Sequence, residues 1–240
     1  MRMKKTWFFD LDNTLHNASH AIFKSMDARI NHFVEGRLKI DSQLADQLRH
    51  QYWVRYGSTL QGLVKHHGVT GPEYFAGTHN FDVRPLLKFE RGLSHRIWRI
   101  RGKKVLLTNA PLLYSKSVMI ALDLEHRFDA HIALDHMQFY GMYAPKPSRR
   151  MLLRILARRK IRPCDAVLIE DSAINLKAAK AIGMKTVLVR GFTRYAARQT
   201  EAYVPPHSSL NFGRPAYVDC CVHSVAQLHR IHWLNHPQYG

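Results

Sequence analysis

Short, unbroken apolar runs recur along the chain, at Thr6–Phe9, Lys104–Thr108, His131–Leu134, Ala166–Ile169, Lys185–Val189 and Tyr217–Val222. Runs that are apolar throughout, without alternation, predict strands buried on both faces, as in a parallel sheet. Between them lie patterns of helical period. Leu112–Leu122 is one, Ser148–Arg159 another, and Ser172–Ile182 a third, ended by Gly183 as a left-handed cap. Strand and helix alternating at this spacing predict an α/β fold, a doubly wound parallel sheet with right-handed crossovers.

One region breaks the rhythm. From about His16 to Arg84 no strand pattern occurs. Ala21–Val34 and Ser42–Arg55 read as amphipathic helices, the second entered through Asp41–Ser42. Thr59–His67 reads as a third, stopped by Gly68, and Pro72 starts a short fourth. The expected organisation is a discontinuous core, residues 1–15 and 85–232, with a helical insert over 16–84 and a short tail over 233–240. The expected hinges lie near Leu15–Asn17 and Asp82–Pro85. Val204–Pro215, rich in Pro, Ser, Gly and Asn, reads as a loop, and Asn235–Gly240 as a frayed end. A last short helix is expected over Val225–Ile231.

Composition adds two things. Hydrophobic residues make up 46% and charged residues 22%, so a packed core and not disorder is expected. Lys and Arg number 36 against 18 Asp and Glu, a formal net charge of +18. Such a field draws in anions, whether phosphorylated metabolites, nucleic acid or acidic membrane surfaces, though a basic solvated surface without a dedicated partner fits it as well. The densest clusters, Arg149–Arg150 and Arg158–Arg159–Lys160, share one helical stretch. The three cysteines, Cys164, Cys220 and Cys221, show no metal-ligand spacing and predict a reducing, cytoplasmic setting. No run is long enough to span a bilayer, so no membrane partner is expected.

The candidate chemistry begins where the first strand ends, in Phe8-Phe9-Asp10-Leu11-Asp12-Asn13-Thr14-Leu15. This edge of an open α/β sheet is where ligands bind. Residues two apart on an extended chain point the same way, so Asp10 and Asp12 could together hold a hard divalent cation through oxygen. A turn or cap after the strand would account for one of these carboxylates but not for Asp-x-Asp-x-Thr as a whole.

That motif resembles the opening motif of the haloacid dehalogenase-like phosphatases, and three further motifs follow in the family's order. Val105-Leu106-Leu107-Thr108-Asn109 is an apolar strand ending in Thr, Pro145-Lys146-Pro147 carries a Lys before a helix, and Val167-Leu168-Ile169-Glu170-Asp171-Ser172 ends a strand in an acidic pair. The resemblance runs from Lys4 to about Ile231. It implies a Rossmann-like core with an inserted all-helical cap. It implies that Asp10 attacks phosphorus and that Asp12 acts as acid and then base. It further implies Mg²⁺ held by the Asp10 carboxylate, the Asp12 carbonyl and Asp171, with Glu170 nearby. The Thr108 hydroxyl and the Asn109 N–H would take phosphate oxygens, and Lys146 would add a fixed charge. Read without the family, Thr108 could simply end a strand, Asn109 turn the chain and Lys146 be solvated. Asn175, one turn after the acidic pair, could orient the metal loop or cap local backbone.

A finer resemblance lies in the insert. Asp12-Asn13-Thr14-Leu15-His16, then Tyr52-Trp53 and Tyr56-Gly57-Ser58-Thr59-Leu60-Gln61-Gly62-Leu63, then His66-His67, resemble the pyrimidine 5′-nucleotidase branch. That implies a small phosphomonoester substrate, a nucleoside monophosphate such as UMP or CMP, with the insert closing over the site. Tyr52, Trp53 and Tyr56 could stack on a base or pack helices, and His16 could touch substrate or serve only as linker. Two rivals stand beside this reading. One is a sugar-phosphate phosphatase or phosphomutase of the same superfamily. The other is a basic nucleic-acid-binding protein on a phosphatase scaffold, suggested by charge alone.

Overall fold

A computed structural model of the chain describes residues 5–196 and 214–231. The chain forms two compact units, Met1–His20 with Val83–Gly240, and Ala21–Asp82. The first unit is built on a sheet. Its strands in chain order are β1 (Thr6–Phe9), β2 (Lys103–Leu107), β3 (Ala130–Ile132), the short pair β4 (Gln138–Phe139) and β5 (Met142–Tyr143), then β6 (Ala166–Glu170), β7 (Lys185–Val189) and β8 (Cys220–Val222). Six of them form one sheet in the order β3-β2-β1-β6-β7-β8, and every pairing in it is parallel. The expected doubly wound parallel sheet is what forms. β4 and β5 make a separate antiparallel hairpin.

The order matters for function. The chain winds from β1 outward to β3, then crosses back to lay β6 on the other side of β1. Between β1 and β6 the winding reverses, and such a switch point opens a crevice at the carboxyl ends of the strands. The register pairs Phe9 with both Leu106 and Ile169, so β1, β2 and β6 finish at one level. Asp10 and Glu170 therefore emerge level with each other, and Thr108 follows one residue beyond them. Beneath them β1 and β6 are buried along their whole length, as an apolar run covered on both faces must be.

The second unit holds α1 (Ile22–Leu38), α2 (Ser42–Tyr56), α3 (Thr59–His67) and α4 (Gly71–His79). Its helix ends are set by local chemistry. The Asp41 side chain accepts from Leu44 N–H, Ser58 accepts from Gln61 N–H, and Thr70 with Glu73 makes a capping box before Pro72. Gly57 and Gly68 close α2 and α3 in the left-handed conformation that a side chain would strain. α1 runs four residues beyond the expected Val34, to Leu38, because Lys39 adopts the left-handed cap. Arg49 on α2, nearly buried, bonds Asp27 and Asn31 of α1. Phe33 of α1 packs edge-on to Tyr74 of α4 at 5.5 Å, in space left open by Gly77.

The first unit resumes with α5 (Leu93–Trp98), α6 (Leu112–Ala121), α7 (Arg149–Arg158), α8 (Ala173–Ala181) and α9 (Gly191–Ala196). Two of these, α5 and α9, have no counterpart in the sequence reading, and neither does the hairpin. The expected strand Tyr217–Val222 contracts to Cys220–Val222, because Tyr217 and Asp219 instead bond the side chain of Thr186. Val225–Arg230 is a 3-10 helix. Most of the expected loop Val204–Pro215, and the frayed end Asn235–Gly240, lie outside the described residues. Among those residues no helix is long and apolar enough to cross a membrane.

Candidate active site

The site begins with the backbone. Asp10 N–H donates to the Ile169 carbonyl at 2.9 Å, extending the β1–β6 ladder by one rung before the chain turns. The turn is fixed by Asn13, which takes φ of 60° and exchanges two hydrogen bonds with Ser19, at 2.9 and 3.1 Å. An asparagine tolerates that conformation better than a branched residue would. The Asp10 carboxylate ends up almost fully buried, with the Thr14 hydroxyl 3.4 Å from one oxygen.

Lys146 comes from the opposite wall. Its Nζ donates to Asp10 Oδ1 and to Glu170 Oε2, both at 2.7 Å, and the side chain is only 2% exposed. Its backbone is held by Asn109, whose amide exchanges two 2.9 Å hydrogen bonds with the Lys146 N–H and carbonyl. The Asn109 side chain is thus committed to placing the lysine. Asn175 donates to Glu170 Oε2 at 3.1 Å, and the Ser172 N–H donates to Glu170 Oε1. Asn175 therefore fixes Glu170 in this structure. Thr108, buried at the end of β2, accepts from the Ala110 N–H at 3.0 Å, which leaves its own proton to donate.

Asp12 lies a pleat further on and is only partly buried. Its Oδ1 meets the Tyr114 hydroxyl at 2.7 Å and His16 Nε2 at 2.9 Å. His16 has no exposed surface, so any link from it to a ligand runs through Asp12. Tyr114, on the first turn of α6, was not singled out by sequence. The available signal was position, since α6 starts at the sheet edge that Thr108 ends. Tyr56 belongs to the helical unit. Its hydroxyl lies 2.6 Å from His66 Nε2, and beside it Tyr52 meets His67 Nε2 at the same distance.

Three buried carboxylates, Asp10, Glu170 and Asp171, bring one oxygen each to within 4.8 Å of the others. One lysine cannot neutralise them. Burial first, then Glu170, pushes Asp10 from 3.8 up to about 7, against the lowering pull of Lys146. Asp171 is raised well above the carboxylate range by burial and then Glu170. Burial alone would lower Lys146, but Asp10 and Glu170 reverse that and leave it above its ordinary value. The excess negative charge and the all-oxygen donor set fit a hard divalent cation such as Mg²⁺. Asp10 and Asp171 would hold it, with Glu170 behind them anchored to Lys146.

Comparison with known proteins follows this geometry. The family profile of the haloacid dehalogenase-like hydrolases matches residues 4–183. Fructose-1-phosphate phosphatase YqaB of Escherichia coli is 30% identical over 93 residues, which are 39% of this chain and 47% of that protein. Phosphate metabolism protein 8 of Saccharomyces cerevisiae is 34% identical over 62 residues, 26% of this chain and 19% of the yeast protein. The chain thus spans half or less of these curated relatives. Among solved structures, a HAD phosphatase from Thermococcus onnurineus superposes with a TM-score of 0.63 at 18% identity, covering 95% of this chain and 97% of that one. L-2-haloacid dehalogenase from Xanthobacter autotrophicus superposes with 0.58 at 15% identity, covering 96% and 99%. A phosphatase and a dehalogenase thus share this fold, and fold alone does not choose between their reactions. The sheet order, the carboxylates at its switch point and the family profile agree that the chain belongs to the haloacid dehalogenase-like hydrolases.

Proposed function

We propose that the chain is a magnesium-dependent phosphomonoesterase that forms an aspartyl-phosphate on Asp10. The observation that carries this reading is the surplus of buried negative charge at Asp10, Glu170 and Asp171 beside a single lysine. A site for a singly charged haloacid has no need of such a surplus. A site where a carboxylate must meet a phosphate dianion needs a divalent cation, and this donor set supplies its seat. When bound, Mg²⁺ shares the charge of nucleophile and phosphate. Lys146 holds Asp10 Oδ1 and the Thr14 hydroxyl meets Oδ2, so both oxygens of the attacking carboxylate are fixed in place. Thr108 donates its hydroxyl proton to a phosphate oxygen. Asp12 protonates the leaving oxygen and then takes a proton from the water that frees Asp10.

For the substrate, the motif around Tyr52, Tyr56 and His66-His67 supports a pyrimidine nucleoside 5′-monophosphate, with the helical unit Ala21–Asp82 as the selecting element and Tyr56 as a substrate contact. A sugar phosphate is the second reading, and the similarity to a fructose-1-phosphate phosphatase favours it. Phosphate release from a panel of phosphomonoesters with Mg²⁺, against Asp10→Asn as blank, tests both. Highest turnover on UMP and CMP supports the first. Highest turnover on sugar phosphates supports the second and removes the nucleotide. No release above the blank removes the phosphatase.

A further inference from the structure

Two groups converge on one oxygen of Asp12 and none on the other. Tyr114 Oη stands 2.7 Å from Oδ1, and His16 Nε2 stands 2.9 Å from the same atom. Among the described residues Oδ2 has no hydrogen-bond partner, although the side chain is 18% exposed. A phenol next to a carboxylate donates, and Tyr114 is 1% exposed. His16 is fully buried, and among the described residues its Nδ1 has no hydrogen-bond partner. A bare ring nitrogen is tolerated as an acceptor more readily than a buried N–H without a partner, which places the His16 hydrogen on Nε2, facing Oδ1.

We propose that Tyr114, assisted by His16, is the positioning residue for general acid catalysis. It saturates Asp12 Oδ1 and so assigns proton transfer to Oδ2. The inference rests on the phosphomonoesterase reading above, and it adds which oxygen works and what aims it. In the forward step the Asp10 carboxylate forms a bond to phosphorus as the P–O bond to the leaving group breaks, and the proton of Asp12 Oδ2 goes to the departing ester oxygen. In the return step the water oxygen forms a bond to phosphorus as the Asp10–phosphorus bond breaks, and Oδ2 takes the water's proton, giving free phosphate and the starting carboxylate. Tyr114 and His16 keep their own protons throughout. A carboxyl free to rotate would offer the proton from either oxygen in many directions, and orientation alone can be worth orders of magnitude in rate.

The test is Tyr114→Phe, which removes one oxygen from a buried ring and leaves its volume in place. Activity with Mg²⁺ is measured on aryl phosphates with good leaving groups, such as 4-nitrophenyl phosphate, and on alkyl phosphates, whose leaving oxygen must be protonated. We expect kcat/KM to fall roughly tenfold or more on alkyl esters and by no more than about twofold on 4-nitrophenyl phosphate, because general acid catalysis matters in proportion to leaving-group basicity. In an Asp12→Ala background the same change should have no further effect on either class. Equal losses on both classes, or an additional loss without Asp12, would show a structural role and overturn the inference while leaving the phosphatase intact. A wild-type protein that releases no phosphate would instead remove the parent reading and the inference with it. Should Tyr114→Phe fold poorly, His16→Gln, which keeps an N–H donor, against His16→Leu, which does not, gives the same contrast. Sparing by Gln and selective alkyl-ester loss by Leu support the assignment, and indistinguishable variants overturn it.

Discussion

Two polar clusters divide this molecule's chemistry, one in each compact unit. At the sheet edge, Asp10, Glu170, Asp171 and Lys146 are ionisable and buried, and hydrogen bonds draw them together from three separate stretches of chain. In the helical unit, Tyr52, Tyr56, His66 and His67 are joined by hydroxyl-to-imidazole bonds and ring contacts on two adjacent helices. Burial and then His66 hold His67 below its ordinary value. The first crowds three carboxylates around one lysine, and the second contains no carboxylate. A charged buried cluster tolerates little change, because every substitution leaves another charge unpaired. A half-exposed cluster without carboxylates can vary without threatening the fold, which is the property a substrate-selecting surface needs.

Substitutions can break or sharpen that contrast. The largest effect belongs to Asp10→Asn, expected to lower turnover by at least about a thousandfold. Because it removes one of three crowded carboxylates, melting in EDTA should be unchanged or raised. A clear drop in melting temperature would mean that the cluster is not strained. Next comes Lys146→Met, which strips the carboxylates of the one cation that bonds them among the described residues. It should destabilise the protein by roughly 3–5 kcal/mol in urea titrations at neutral pH, as removal of one partner of a buried ion pair does.

A subtler effect concerns acidity. Asp10 sits at about 7 when folded against an ordinary 3.8, through burial first and Glu170 second. Between those values the folded state holds a proton that the unfolded chain has released, so stability without metal falls as pH rises through that window. Mg²⁺, which binds the deprotonated form, should flatten the slope. Thermal melts with EDTA and with Mg²⁺ from pH 4 upward check both signs, and identical profiles would argue against metal at these carboxylates. The smallest effect is expected in the other cluster. Tyr56→Phe should change stability by less than about 1 kcal/mol. On the proposed reading it shifts the ratio of kcat/KM for UMP against a sugar phosphate, with the alkyl-to-aryl ratio unmoved. A uniform collapse of activity would erase the distinction between the two clusters.

Much of this was legible in sequence, for identifiable reasons. Strands such as Thr6–Phe9 and Lys185–Val189 stand out because burial on both faces demands an unbroken apolar run. Helix ends at Gly57, Gly68 and Gly183 stand out because the left-handed conformation is cheap for glycine. Six-residue helices such as α5 and α9 are too short to show a period, and β4 and β5 have two residues each. In the site, Asp10, Asp12, Thr108, Glu170 and Asp171 are legible because a strand end marks them. What Asn109 and Tyr114 hold is not, since the partners lie 37 and 102 residues away in sequence. A tyrosine within Leu112–Ala121 looks like ordinary packing until the fold brings Asp12 beneath it.

One modest bond carries a further consequence. Asn17 N–H donates to the Lys88 carbonyl at 2.7 Å, tying the segment that leaves the sheet unit to the segment that returns. From the sheet's side the whole of Ala21–Asp82 is a loop, and loop closure grows only with the logarithm of length. The staple at Asn17 thus makes the junction a socket. Inserts of other lengths grafted there are expected to leave the register of β1 with β2 and β6 in place. On the proposed reading, exchanging what fills the socket would change selectivity and leave the surroundings of Asp10 untouched.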